Sequence, residues 1–318
     1  MTTDQPDRRV QCILEHGRRA PHAYAYRVAA ITLLADAPIA ALSPFRLPDM
    51  TFADLGAANG DDTPRAGGTR TFSGPAWIAN AERHIESTIE PAGYRLRIDG
   101  IGSFSVGAAG DRIALTARAA SVDAGTFEQA LLGPALILCL ALQGIWCLHA
   151  SAVRGTHGVL AFVGESGRGK STLARYLNDQ PAGAWERIAD DILPIARDPG
   201  STHVLPHFPQ LKQPWTEQYG IDRHRRIRLD TICVLNPVGD DSRGDLSRQP
   251  LHGRALAAAL VRHTVASRLF DADLLRRHLH TCTELARDLR GYTLTYPKRW
   301  TVLPELEHAI RDTQTRPD

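Results

Sequence analysis

Lysine is almost missing from this chain. Of 37 Lys plus Arg in 318 residues, only Lys170, Lys212 and Lys298 are lysines. A coding bias toward arginine explains the general shortage, so a lysine that survives it marks a position where a compact ammonium serves and a planar guanidinium does not. Cysteine is scarce and odd in number: the five are Cys12, Cys139, Cys147, Cys233 and Cys282. With no C-x-x-C spacing among them, a disulfide framework and a zinc cage are both disfavoured, and a reducing, cytoplasmic setting is expected. An excess of charge of either sign is lacking too. The net charge of +2 carries no signal for nucleic acid or for a membrane surface. The opening Met-Thr-Thr-Asp-Gln-Pro-Asp-Arg-Arg has no apolar signal-peptide core. One long apolar run exists, Ala130 to Leu148, but Gly133-Pro134 and Gln143 interrupt it. It reads as a buried helix packed under the segment that follows, and no membrane span is expected. No internal repeat or low-complexity tract is found.

What remains is ordinary globular composition, 43% hydrophobic and 23% charged over 318 residues, enough for one large or two modest cores. Two regions differ in pattern. Tyr24 to Leu34 and Tyr94 to Ala117 alternate or are β-rich, with Asp99-Gly100 and Gly110-Asp111 as hairpin turns. Between them, residues 57–68 read as an exposed loop. Residues 1–122 are therefore expected to form a β-rich accessory or substrate-recognition domain, and 123–318 a second domain. In the latter, strands are expected at Ile232–Leu235 and Tyr292–Tyr296, helices at Arg254–Phe270, at Ala272–Leu289 and from Pro304, and an irregular loop around Pro206, Pro209 and Pro214.

The densest signal is Gly164-Glu165-Ser166-Gly167-Arg168-Gly169-Lys170-Ser171, a complete phosphate-binding P-loop. Gly158 to Val163 before it reads as a strand, and Ser171 to Leu177 after it as a helix. This layout lets loop amides and a helix N-terminus, including Thr172, wrap a polyphosphate while Lys170 reaches its outer phosphates and Ser171 offers a hydroxyl to Mg²⁺. About twenty residues on stands Ile188-Ala189-Asp190-Asp191. Phosphoryl transfer needs one carboxylate for Mg²⁺ and another to take a proton from the attacking hydroxyl. Because strand neighbours point to opposite faces, both aspartates are expected at a strand end where the chain turns; a solvated acidic turn is the plainer alternative. His149, in the apolar run Trp146 to Val153, reads by itself as a satisfied core histidine sooner than as a catalyst.

The ordered triple Leu148-His149-Ala-Ser-Ala-Val153, Gly164 to Ser171, and Ala189-Asp190-Asp191 resembles the core of the HPr kinase/phosphorylase family over roughly residues 126 to 235. The resemblance implies an α/β fold: a P-loop kinase domain of HPr-kinase/PEP-carboxykinase-like type with a mixed sheet, preceded by a smaller β-rich domain. It implies ATP and Mg²⁺ as cofactors, His149 assisting near the phosphates, Ser171 and Asp191 on the metal, and Asp190 as base. The glycine-rich second signature by which that family contacts HPr is not recognisable after Asp191. Phe208-Pro-Gln-Leu-Lys212 and Tyr292 to Arg299 are instead similar to HPr-kinase-like enzymes of lasso-peptide biosynthesis, which phosphorylate the C-terminal serine of a ribosomal precursor peptide, some members adding more than one phosphate. The resemblance also makes a homo-oligomer an expectation. Lys212, in a proline-stiffened loop, could neutralise the transferring phosphate or the peptide carboxylate; Lys298 and Arg299 could act likewise. The run Arg223 to Arg228 reads as a solvated face. The alternatives in function are a serine kinase acting on another protein or a small hydroxyl compound, and a nucleotide sensor without transfer activity.

Overall fold

Strand-forming sequence dominates the first third of the chain, and the computed structural model arranges it as one broad sheet. The structure describes residues 8–14, 22–48, 50–51, 68–180, 184–210, 226–239 and 246–315. The expected loop at 57–67 lies outside the described residues, as does Lys212. Nine strands, β1 Arg8–Ile13, β2 His22–Val28, β3 Ile31–Ala35, β4 Met50–Thr51, β5 Thr69–Ile78, β6 Ala81–Glu90, β7 Gly93–Ile98, β8 Gly102–Gly107 and β9 Arg112–Arg118, lie in the order β4-β2-β3-β1-β9-β8-β7-β6-β5. β1 runs parallel to β3 and β9; β5 to β9 form an antiparallel meander whose turns include the expected Asp99-Gly100 and Gly110-Asp111. Pro75 falls in β5, the edge strand, where a missing N–H breaks no central ladder.

The apolar run does form a buried helix, but elsewhere than expected. α1 Ala124–Ala130 passes through a π-turn at Leu131–Ala135 into α2 Leu136–Leu142. Asp123 caps its start by accepting from the Thr126 N–H at 2.9 Å. Pro134 sits inside the π-turn, where a widened turn tolerates its missing donor. By length and composition the 19 residues 124–142 could cross a membrane, yet most of this stretch is buried. Its contacts run to β8 and β9 of the N-terminal sheet. Accordingly the chain divides not at 122–123 but into residues 1–145 with 266–275, and residues 146–265 with 276–318. The helix stays with the sheet because that sheet needs an apolar cover on one face.

In the second unit the strands are β10 Trp146–Gly155, β11 Gly158–Val163, β12 Glu186–Asp198, β13 Ser201–Val204, β14 Ile227–Val238, β15 Ser247–Pro250 and β16 Arg290–Pro297, and the helices α3 Lys170–Asn178, α4 Gly253–Arg262, α5 Ala272–Asp288 from Arg276 onward, and α6 Leu303–Thr315. The sheet order is β11-β10-β12-β13-β14-β16-β15, and an added β11–β14 pairing closes a cycle of five strands. It is mixed, as expected: β11, β14 and β16 are parallel and the other pairings antiparallel. Parallel strands buried on both faces read as continuous apolar runs, which is how β11 and the Ile232–Leu235 stretch of β14 read. Leu173, Ala174 and Leu177 of α3 and Leu303, Leu306 and Ile310 of α6 recur at helical spacing and pack with Phe162, Cys233, Leu235 and Leu294 in one buried cluster.

The helix expected over Arg254–Phe270 ends at Arg262. There the chain turns extended: the Thr264 backbone bridges Leu148, His263 O accepts from the His149 N–H at 2.8 Å, and the Val265 N–H donates to Cys147 O at 2.8 Å. β11 pairs with β10 only from Ala150 onward, so residues 263–265 satisfy backbone groups of β10 that would otherwise be buried unpaired.

Candidate active site

β11, β14 and β16 run parallel, so their C-terminal ends gather along one edge of the sheet, the place where open α/β sheets put ligands. The P-loop leaves β11 there and enters α3. Gly169 forms the α3 N-cap at φ 89° without any side-chain cap, and Gly167 sits at φ 76° with open space where a Cβ would stand. Both conformations disfavour L side chains, and the uncapped amides of the first turn remain available to an anion. The Lys170 ammonium, buried, donates to the carbonyls of Gly164 at 2.8 Å and Glu165 at 3.2 Å. Arg168 donates through Nη1 to Pro237 O of β14 at 3.0 Å. Tyr296 of β16 donates its hydroxyl to Arg168 O at 2.8 Å; burial pushes that phenol up to about 12, against a smaller lowering by Arg168.

The acidic pair is not at a strand end. Asp190 and Asp191 lie in the middle of the 13-residue β12, because the apolar pattern continues through Ile192-Leu193-Pro194-Ile195 and both carboxylates find partners within the fold. Asp190 stands opposite Ser151 of β10; Oδ1 accepts from Ser151 Oγ at 2.7 Å, and Oδ2 faces Arg187 Nη1 at 3.4 Å. Asp191 Oδ1 lies 3.6 Å from His149 Nε2. His149 has a side chain 34% exposed, so it is no sealed core histidine. β13 covers β12 only from Ile195 to Asp198. The amides before that are taken by Gln210, whose Oε1 accepts from the Asp190 and Ile192 N–H at 3.1 and 3.3 Å while Nε2 donates to Ile192 O at 3.1 Å. A side-chain amide here substitutes for a neighbouring strand. Behind the loop, burial pushes the His263 imidazole toward its neutral form; Glu165 opposes this, and Lys170 and Arg262 reinforce it.

One cavity of about 640 Å³ joins these groups. Of the residues expected from sequence, Ser166, Gly167, Arg168, Gly169, Lys170, Ser171, Thr172, His149, Asp190, Asp191, Lys298 and Arg299 line it, and Gly164 and Glu165 do not. Gly164 is packed against Leu235 O at the strand end, and Glu165 points to Arg262 at 3.4 Å on an exposed surface. Sequence reasoning gave no role to Ser151, Arg187, Gln210, Tyr296 or Trp300. Ser151 was findable, since residues i and i+2 on a strand share a face and His149 was already under consideration. The partners of Gln210 and Tyr296 are distant in sequence and left no local pattern, whereas Arg187 stands only three residues before its partner Asp190. In the basic run, Arg226 pairs with Asp198 at 2.7 Å and Arg228 is exposed; Arg223 to Arg225 lie outside the described residues. Among the described residues no three His, Cys, Asp or Glu side chains cluster as a metal cage.

Neither a protein-family model nor a curated protein matches the chain. Among solved structures, the HPr(Ser) kinase/phosphatase from Coxiella burnetii is similar over 52% of this chain and 89% of that one, at 11% identity and a TM-score of 0.29. Fold and loop define a mixed α/β protein with a glycine-rich loop at a strand-to-helix junction.

Proposed function

We propose that this chain is an ATP- and Mg²⁺-dependent kinase that transfers the γ-phosphoryl group to a serine hydroxyl, the acceptor being the C-terminal serine of a ribosomal lasso precursor peptide. One observation carries the transfer reading: the P-loop, Lys170 and Ser171 line the same cavity as His149, Asp190 and Asp191. A loop that only sensed nucleotide would need no carboxylate pair held by Ser151, Arg187, His149 and Gln210. The residues fit the groups they would hold. Uncapped α3 amides and the open side of Gly167 suit a polyphosphate. Ser171 with Asp191 suits a magnesium ion, which takes one or two carboxylates alongside phosphate oxygens and water and does not need an all-protein cage. Bound there, Mg²⁺ would neutralise charge on the phosphates.

Lys170 holds the outer phosphates, its ammonium exchanging loop carbonyls for phosphate oxygens. Asp190, oriented by Ser151 and Arg187, would accept the serine proton. His149, 3.6 Å from Asp191, would help hold that carboxylate beside the phosphates. The peptide assignment rests on the resemblance of Phe208 to Lys212 and of Tyr292 to Arg299; a kinase for another protein or a small hydroxyl compound would use the same residues. Incubation with ATP, Mg²⁺ and a peptide ending in serine, followed by mass spectrometry, is expected to show gains of about 80 Da per phosphate on that residue. Lys170→Ala is expected to lower the rate by roughly a thousandfold, and Asp190→Asn to abolish transfer while leaving ATP binding largely intact. Undiminished activity in Lys170→Ala overturns the site; phosphate found only on other acceptors overturns the peptide assignment.

A further inference from the structure

We infer that Trp300 is the stacking platform for the nucleobase, an assignment that rests on the kinase reading above and adds where the nucleoside lies. Trp300 is 75% exposed, the most exposed of the large apolar side chains among the described residues, yet it lines the P-loop cavity. Its backbone is firmly placed. β16 ends at Pro297, the Lys298 N–H donates to Val238 O at 3.1 Å, and the short 3₁₀ turn Trp300–Val302 runs directly into α6. Val302 and Leu306 are buried in the core beneath it. An indole presented on a rigid turn loses little conformational entropy when a flat ring settles on it.

The direction of the nucleotide follows from the rest of the lining. Lys170 and the carboxylates define where the terminal phosphate reacts. The nucleoside therefore leaves the loop on the other side, past Ser171 and Thr172 toward Arg175, one turn further along α3. Arg175, Val302, Leu303 and Leu306 line the same cavity as Trp300. An apolar floor with one exposed indole and flanking cations matches a heteroaromatic ring joined to a phosphate chain. Base–aromatic stacking is tolerant of base identity and grows with ring area, so purine nucleotides should be held more tightly than pyrimidine ones.

The test is isothermal titration of the full chain, with Mg²⁺ present, against ATP, UTP and inorganic tripolyphosphate. In Trp300→Ala, ATP affinity is expected to fall roughly tenfold, tripolyphosphate affinity to stay within about twofold, and the preference for ATP over UTP to vanish. Trp300→Phe, which keeps a ring, should restore most of the ATP affinity. Unchanged ATP affinity in Trp300→Ala together with a raised KM for the acceptor peptide would assign the indole to the acceptor and overturn the inference. Equal losses for ATP and tripolyphosphate would overturn it as well, showing damage to the loop. Wild-type protein that binds neither ligand refutes the P-loop reading itself, and the inference with it.

Discussion

His278 illustrates how a single buried group can set the pH response of the second unit. Its Nε2 lies 2.9 Å from Thr264 Oγ1 and 3.3 Å from Cys282 Sγ, and its ring packs 4.8 Å from Trp146. Burial pushes its pKa down from 6.5 to about 4. The unfolded chain therefore takes up a proton at higher pH than the native state does. The stabilisation from keeping this ring neutral is fully present above 6.5 and is lost as pH falls through 6.5 toward 4. Its size is at most about 3 kcal/mol. Urea midpoints measured between pH 7 and 4.5 are expected to fall steeply in the wild type and less steeply in His278→Gln; parallel curves would show that other groups dominate. None of this was legible in the sequence, because Thr264, Cys282 and Trp146 reach the histidine only through the fold.

At the scale of elements, the junction between β11 and α3 is the part most exposed to a single substitution. Gly169 holds φ 89° at the helix cap, and a Cβ there would meet the Tyr296 hydroxyl at 3.4 Å. That contact is ordinary, so the penalty for Gly169→Ala is one of backbone strain, about 1–2 kcal/mol, concentrated where the amides must face phosphate. Far-UV circular dichroism is expected to be unchanged while ATP affinity drops more than about tenfold; unaltered affinity would remove the α3 amides from the site. The strand–loop–helix order was readable because glycine spacing and apolar periodicity are local properties. The end of α4 was not. His263, Thr264 and Val265 carry no glycine or proline to stop a helix, and only the unpaired edge of β10 makes them extended.

The second unit as a whole should respond to its ligand. Loop, acidic pair and C-terminal turn converge from β10, β11, β12 and β16 onto one cavity over a shared core, so a nucleotide bound only by the native state stabilises all of them together. At ATP concentrations about a hundredfold above Kd the gain is about 2.7 kcal/mol. Amides of β11, α3 and β14 that exchange by global opening are expected to slow by about a hundredfold in wild type and hardly at all in Lys170→Ala. Equal slowing in both would place the binding energy elsewhere. The strand–P-loop–helix succession, the presence of the acidic pair and the burial of the apolar run were legible in the amino-acid sequence alone, since each depends on spacing within a few residues. Tertiary structure alone decided that the helix covers the N-terminal sheet, that β12 runs straight through Asp190 and Asp191, and that Gln210, Ser151 and Tyr296 hold the site. Those outcomes satisfy buried backbone and carboxylate groups with partners far along the chain, and no local pattern encodes which distant residue will arrive.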